Sequence, residues 1–292
     1  MPTATLNQLD IHYRDEGDPN GAPVLFINSL GTTLHLWDPI LPYLPEGLRI
    51  VCYDMRGHGE TEVPPAPYSM GTLVKDAEAL LEHLNIKDAL VVGLSIGGMV
   101  AQGLAVKRLD LVRAMVLSNT AAKIGSPKMW QDRIDMVTTK GLPAMSADIM
   151  QRWFSRDFHS RPELAHWKAM LESTPTEGYA GCCAAIQGTD FYTPTSGLRL
   201  PTLGIAGSED GATPPDLVRE TVELIPGARL DPAPPPRPRF TVEFAIGSQQ
   251  CAERTGKPVR HPAVRPRWQT APVKRAGAAL SAQGGSRPYP GQ

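Results

Sequence analysis

The chain has 292 residues, 41% of them hydrophobic, and 29 Lys+Arg against 30 Asp+Glu for a formal net charge of −1. That length suits one large domain or two small ones with a sizeable core, and the near-neutral balance argues against nucleic acid or a membrane surface as partner. No apolar run reaches the roughly 18 residues of a spanning helix, and "MPTATLNQLDIHYRDEGD" lacks the basic-then-apolar pattern of a secretory leader.

Taken in chain order, "PVLFIN" at 23–28 is the first short apolar run bounded by turn signals. "RIVCYD" (49–54), "ALVVG" (89–93), "RAMVLSN" (113–119) and "PTLGIAG" (201–207) follow. Runs of this kind predict strands buried on both faces, as in a parallel sheet. Between them, "SMGTLVKDAEALLEHLNI" (69–86) spaces its leucines by three and four, which predicts an amphipathic helix. "IGGMVAQGLAVKR" (96–108) and "PPDLVRETVELIPG" (214–227) predict two more helices, the latter opening on prolines and closing on Pro-Gly. Strands alternating with helices predict an α/β doubly wound, mostly parallel sheet. Residues 123–197 break the alternation with several amphipathic helices and no strand, which predicts a cap over the edge of the sheet where ligands bind.

The expected organisation is therefore a core over 1–122, a helical cap over 123–197, the rest of the core over 198–231, and a tail over 232–292. The tail is set apart by composition. Residues 1–231 carry 19 Lys+Arg and 28 Asp+Glu, whereas 232–292 carry 10 and 2, together with 11 of the 29 prolines. Such a segment cannot bury enough apolar surface to offset ordering entropy, so it is expected to be irregular. Cys52, Cys182, Cys183 and Cys251 form no CxxC pair and no metal-ligand spacing. They read as reduced thiols of a cytoplasmic protein.

The chemistry centres on Gly93-Leu94-Ser95-Ile96-Gly97, between a predicted strand and a predicted helix. A serine in such a turn needs small neighbours to take a strained backbone conformation, and the turn lifts its hydroxyl above the sheet at the positive end of a helix. Ser95 is the candidate nucleophile. The loop after the first strand, "FINSLGTTLHLW", can bring the Leu30 N–H beside that of Ile96 to hold the oxygen of a tetrahedral intermediate. His58, in the glycine-punctuated turn "YDMRGHGETE", reads as structural. In a sheet of this kind the acid follows the nucleophile along the chain and a histidine follows the acid. Asp210, in "GIAGSEDGATPP", fits the acid position, with Glu209 the neighbouring alternative.

Together, "NSLGTTLHLWDPILPYL", "YDMRGHG", "VVGLSIGGMVAQGLA", "SNTAAKIG" and "AGSEDGATPP" resemble the α/β-hydrolase superfamily. The cap phrases "MWQDRI" and "EGYAGCCAAI" narrow the resemblance to the 3-oxoadipate enol-lactonases of aromatic-compound breakdown, over about residues 5–231. That resemblance implies hydrolysis of a small-molecule enol-lactone to 3-oxoadipate by the serine, with no metal and no organic cofactor. The implied substrate carries a carboxylate, which a guanidinium fork suits. Arg133 is the candidate, with Trp130 on the same helix turn packing the lactone. A general esterase or a cofactor-free haloperoxidase-like relative is the neighbouring alternative, and the sequence sets no oligomeric state.

The resemblance also implies a catalytic histidine in a loop near position 238, where this chain has Pro238. Five prolines between 232 and 238 exclude an interior strand there, and no last strand, histidine loop or closing helix is recognisable. An abrupt switch to Pro, Arg, Ala and Gly is what a frameshift in a GC-rich gene produces. His261, in "PVRHPAVRP", is the only histidine after Asp210, and no pattern around it would position it. Without a base a serine hydroxyl is a poor nucleophile, so an impaired hydrolase scaffold stands as the second expectation.

Overall fold

The computed structural model describes residues 1–232. The apolar runs form the middle of one eight-stranded sheet: β1 (Thr3–Leu6), β2 (Leu9–Gly17), β3 (Ala22–Ile27), β4 (Leu48–Tyr53), β5 (Ala89–Leu94), β6 (Val112–Ser118), β7 (Thr202–Ala206) and β8 (Arg229–Pro232). Their spatial order is β1-β2-β4-β3-β5-β6-β7-β8. Pairing is parallel from β4 through β8 and antiparallel for β1–β2 and β2–β4. The sheet is thus α/β and mostly parallel, as the runs predict.

Two departures have plain causes. β1 and β2 have no continuous apolar run, because they lie at one end of the sheet where only one side of the ladder is central. Leu9, Ile11 and Tyr13 are buried, while the last residues of β2 are charged and exposed. The sequence also shows no last strand, yet Arg229–Pro232 pairs in parallel with β7, from Leu203 opposite Arg229 to Ala206 opposite Pro232. β8 is the outermost described strand, and proline is tolerated at such an edge and at a strand end. The remaining expectations for 232–292, including Pro238 and His261, lie outside the described residues.

The helices are α1 (Met70–His83), α2 (Ile96–Lys107), α3 (Pro127–Lys140), α4 (Ser146–Trp153), α5 (Leu164–Glu172), α6 (Thr176–Gln187), α7 (Tyr192–Ser196) and α8 (Pro215–Glu223). Ser69 caps α1 by accepting from the Thr72 N–H at 3.2 Å, a contact typically worth about 1 kcal/mol. Its buried residues Leu73, Ala77, Leu80 and Leu81 follow the predicted spacing. α2 packs on β3, β5 and β6, α1 lies beside it, and α8 packs on β7 and β8. α3 to α7 all fall between β6 and β7, and α3 packs against α6.

The β5–α2 turn is the tightest point of the core. A Cβ on Gly93 would strike the Gly97 carbonyl, and one on Gly97 would strike the Ile27 carbonyl of β3. Gly97→Ala is therefore expected to cost about 1–3 kcal/mol or more by overpacking, lowering Tm by several degrees at about 2–4 °C per kcal/mol. Gly71→Ala, on α1 with nothing nearer its Cβ than Ser69 Oγ at 3.8 Å, should hold or raise Tm. Thermal unfolding of both variants is the check, and an unchanged Tm for Gly97→Ala would contradict the packing account.

Candidate active site

Ser95 sits between β5 and α2 with φ +56 and ψ −118. A non-glycine residue pays for such a conformation only where its surroundings enforce it. Here the Ser95 N–H donates to the Ser118 carbonyl at 3.0 Å, and its own carbonyl accepts from the Gly98 N–H at 2.9 Å and the Thr120 hydroxyl at 2.6 Å. The side chain is left half-buried, lining a cavity with Ser29, Leu36, Asn119, Trp153 and Asp210. Ile96 is the first residue of α2, so its N–H has no partner within the helix.

The loop carrying Leu30 is fixed from beneath by buried polar contacts. Asn28 donates to the Tyr53 carbonyl at 2.8 Å and accepts from the Trp37 indole at 2.6 Å. Asp54 accepts from the Leu34 N–H at 2.7 Å and the Glu60 N–H at 3.1 Å, and lies 2.8 Å from His12 Nδ1. His58 is fully buried and accepts from the Gly31 N–H through Nε2 at 3.0 Å, so Nδ1 carries the proton and donates to the Arg56 carbonyl at 3.1 Å. His58 therefore acts as a strut under the residue that follows Leu30. Burial holds its pKa below the ordinary histidine value, which keeps the accepting tautomer neutral.

Asp210 follows β7, half-buried, and its carboxylate accepts from the Ala212 N–H at 2.7 Å, the Thr213 N–H at 2.8 Å and the Asn119 amide. Asn119, directly after β6, has φ +43 and donates its N–H to the Ile205 carbonyl at 2.8 Å. Asp210 is thereby tied to the ends of β6 and β7 and faces the Ser95 cavity, whereas Glu209 is exposed.

The inserted helices wall a second, adjoining cavity that Ser95 and Leu30 also line. Trp130, buried on α3, donates its indole N–H to the Ile124 carbonyl at 2.6 Å. Arg133, half-buried one turn on, lays its guanidinium over the Trp130 ring at 5.2 Å. Both residues line this cavity, together with Arg152, Trp153 and Tyr179. The structure thus gathers Ser95, Leu30, Trp130 and Arg133 around one space, with Asp210 in the space beside it. Sequence reasoning missed Arg152 and Trp153. Their adjacent Arg-Trp pair ends α4, as Trp130 and Arg133 share a turn of α3, and that repetition is the signal that could have found them.

None of the described histidines (His12, His35, His58, His83, His159 and His166) lines either cavity beside Ser95. Among the described residues no cluster of three or more His, Cys, Asp or Glu could hold a metal ion, and no helix is long and apolar enough to cross a membrane.

Residues 22–234 match the family described as alpha/beta hydrolase fold. The chain is 35% identical over 213 residues to 3-oxoadipate enol-lactonase 2 of Acinetobacter baylyi, spanning 72% of this chain and 80% of that protein. It is 28% identical over 249 residues to the non-heme chloroperoxidase of Streptomyces lividans, spanning 79% and 90%. The crystal structure of the enol-lactonase from Burkholderia xenovorans is similar with a TM-score of 0.80 at 33% identity, over 87% of this chain and 97% of that one.

The buried His58 gives the fold a pH dependence of definite sign. Its native pKa lies below the ordinary 6.5, so the unfolded chain binds the proton more readily. The group's contribution is complete above about 6.5 and is lost as pH falls, by at most about 1.4 kcal/mol per pH unit. Urea unfolding across the two pH units below that point should give a steeper loss for the parent than for His58→Gln. Parallel curves would contradict the buried neutral imidazole.

Proposed function

We propose a function from one premise: the chain belongs to the alpha/beta hydrolase family. On that premise it is a serine hydrolase of carboxylic esters, with an enol-lactone of the 3-oxoadipate type as its substrate. The observation that carries the reading is that Ser95, at the strand–helix turn, and Arg133, on an inserted helix, line one cavity. A lactone seated there would place its carbonyl at Ser95 and its carboxylate at Arg133, with its ring against Trp130.

Ser95 Oγ would attack the lactone carbonyl, and the Leu30 and Ile96 N–H groups would take the developing oxyanion, an interaction worth on the order of 10²–10³ in rate per donor. Ring opening releases an enol that becomes the ketone, and water then frees the acyl group as a second carboxylate. Asp210, held by Asn119 and Thr213, would orient the base that takes the Ser95 proton. Helices α3 to α7 serve as the cap, and the protein works in the cytoplasm on a small-molecule lactone.

A second reading is favoured by the histidines. No described histidine lines the Ser95 cavities, and only His261 follows Asp210 in the chain. An impaired scaffold would bind the lactone and turn it over slowly, since loss of a triad histidine costs on the order of 10⁶ in turnover.

Steady-state hydrolysis of 3-oxoadipate enol-lactone and of phenyl acetate separates these readings. For the complete hydrolase, Ser95→Ala should lower lactone turnover by on the order of 10³ or more, and Arg133→Ala should weaken lactone hydrolysis about tenfold or more while sparing phenyl acetate. A parent rate already equal to that of Ser95→Ala would assign the scaffold. Equal losses on both substrates for Arg133→Ala would reject the carboxylate contact.

A further inference from the structure

We infer that Arg152 is a second specificity-determining cation, and that Arg133 from α3 and Arg152 from α4 grip one substrate carboxylate between them. The inference rests on the anionic-lactone reading and deepens it. Both arginines line the cavity shared with Ser95, and both also line the groove that opens outward between α3 and α4. The carboxylate would therefore sit at the mouth of the cavity, with the lactone ring inward.

Three observations bear on how the two side chains reach this cavity. The guanidinium of Arg133 lies over Trp130, 5.2 Å from the ring centroid, and it hydrogen-bonds the Tyr179 side chain, so the ring supports the charge at the cavity wall. The stem of Arg152 runs along the loop beside Asp210: its carbonyl accepts from the Gly211 N–H at 3.3 Å, and a Cβ on Gly211 would touch its Cα, Cβ and Cγ at 3.6–3.8 Å. The hydroxyl of Tyr179, buried on α6 and lining the same cavity, has its pKa pushed up by burial, while Arg133, by charge and a hydrogen bond, and Arg152, by charge, both pull it down.

Among the described residues neither guanidinium forms an ion pair with a carboxylate, although Asp132 and Asp148 line the same outer groove. Two cations converging on one cavity repel each other until an anion arrives, so a carboxylate gains twice from the pair: two forks to accept from, and a repulsion relieved. A neutral ester gains neither. The arrangement selects lactones and esters that carry a carboxylate a few carbons from the carbonyl that Ser95 faces, and binding would tie α3 to α4.

The test is binding by the full chain, read from the fluorescence of the two cavity tryptophans Trp130 and Trp153, with levulinate as the anionic probe and methyl levulinate as its neutral counterpart. Arg152→Ala should raise the Kd for levulinate about tenfold to a hundredfold and leave methyl levulinate within about twofold. Arg152→Lys, which keeps the charge but not the fork, should fall between. Because the two arginines share one carboxylate, Arg133→Ala combined with Arg152→Ala should lose less than the product of the single losses. If Arg152→Ala binds levulinate like the parent while Arg133→Ala does not, the role given to Arg152 is wrong and the anionic reading stands. Single losses that multiply in the double variant would overturn the shared grip. A parent that binds levulinate no better than its methyl ester would overturn the anionic reading itself, and this inference with it.

Discussion

A side chain cannot be placed on Gly97 without striking the Ile27 carbonyl, nor on Gly93 without striking Gly97. That steric constraint holds the backbone of β5, the Ser95 turn and α2 in near contact with the neighbouring strand β3. Ser95 is forced to φ +56, and its hydroxyl emerges at the end of the central strands, beside the first unpaired N–H groups of α2. Such strain persists only where the surroundings over-determine it. Here they do so through contacts on three sides: the Ser118 carbonyl in β6, the Thr120 hydroxyl beyond it, and the start of α2.

The rest of the site is arranged around that fixed point by buried polar struts and by close backbone approach. Asp54 and His58 each hold a backbone N–H of the loop between β3 and the following helical turns, and Asn28 within it donates to the Tyr53 carbonyl of β4, so the Leu30 N–H is set by contacts distant in sequence. The inserted helices are seated by a different device. A Cβ on either Gly57 or Gly178 would strike the backbone of the other, and one on Gly181 would strike the Tyr68 ring. The Glu177 carboxylate meanwhile accepts from the Ala66 N–H at 2.7 Å. α6 is thus pressed against the core, and α3, packed on α6, carries Trp130 and Arg133 over Ser95. The position of Arg133 follows from glycines far from it.

How much of this was legible in the sequence depended on whether the signal was local. The central strands could be read because burial on both faces demands unbroken apolar runs, and the Ser95 turn because its glycines flank it directly. Asp210 could be read from its place after the last clear run. β1 and β2 could not, since the apolar run of β2 is broken by Asp10 and His12 and followed by a charged, exposed end. β8 was hidden by Pro232, which reads as a breaker unless the strand is known to be an edge. His58 could be read as structural, but its contact with Gly31 spans 27 residues, and no pattern in the chain announces it. Arg152 was missed for a related reason, its only local signal being its pairing with Trp153. Only the fold brings the end of α4 beside the loop after β7, and an arginine on a polar helix otherwise reads as a solvated surface residue.

The central claim is that one cavity places a reacting carbonyl at Ser95 and a carboxylate at the paired arginines. A boronic acid carrying a carboxylate three carbons from boron imitates both ends at once, because boron accepts a serine oxygen to give a tetrahedral adduct like the intermediate of acyl transfer. A crystal structure of the protein soaked with this compound is the most direct measurement. The account predicts boron bonded to Ser95 Oγ, one boronate oxygen against the Leu30 and Ile96 N–H groups, and the carboxylate between Arg133 and Arg152. Boron bonded elsewhere, or bonded to Ser95 with the carboxylate turned away from both arginines, would contradict it.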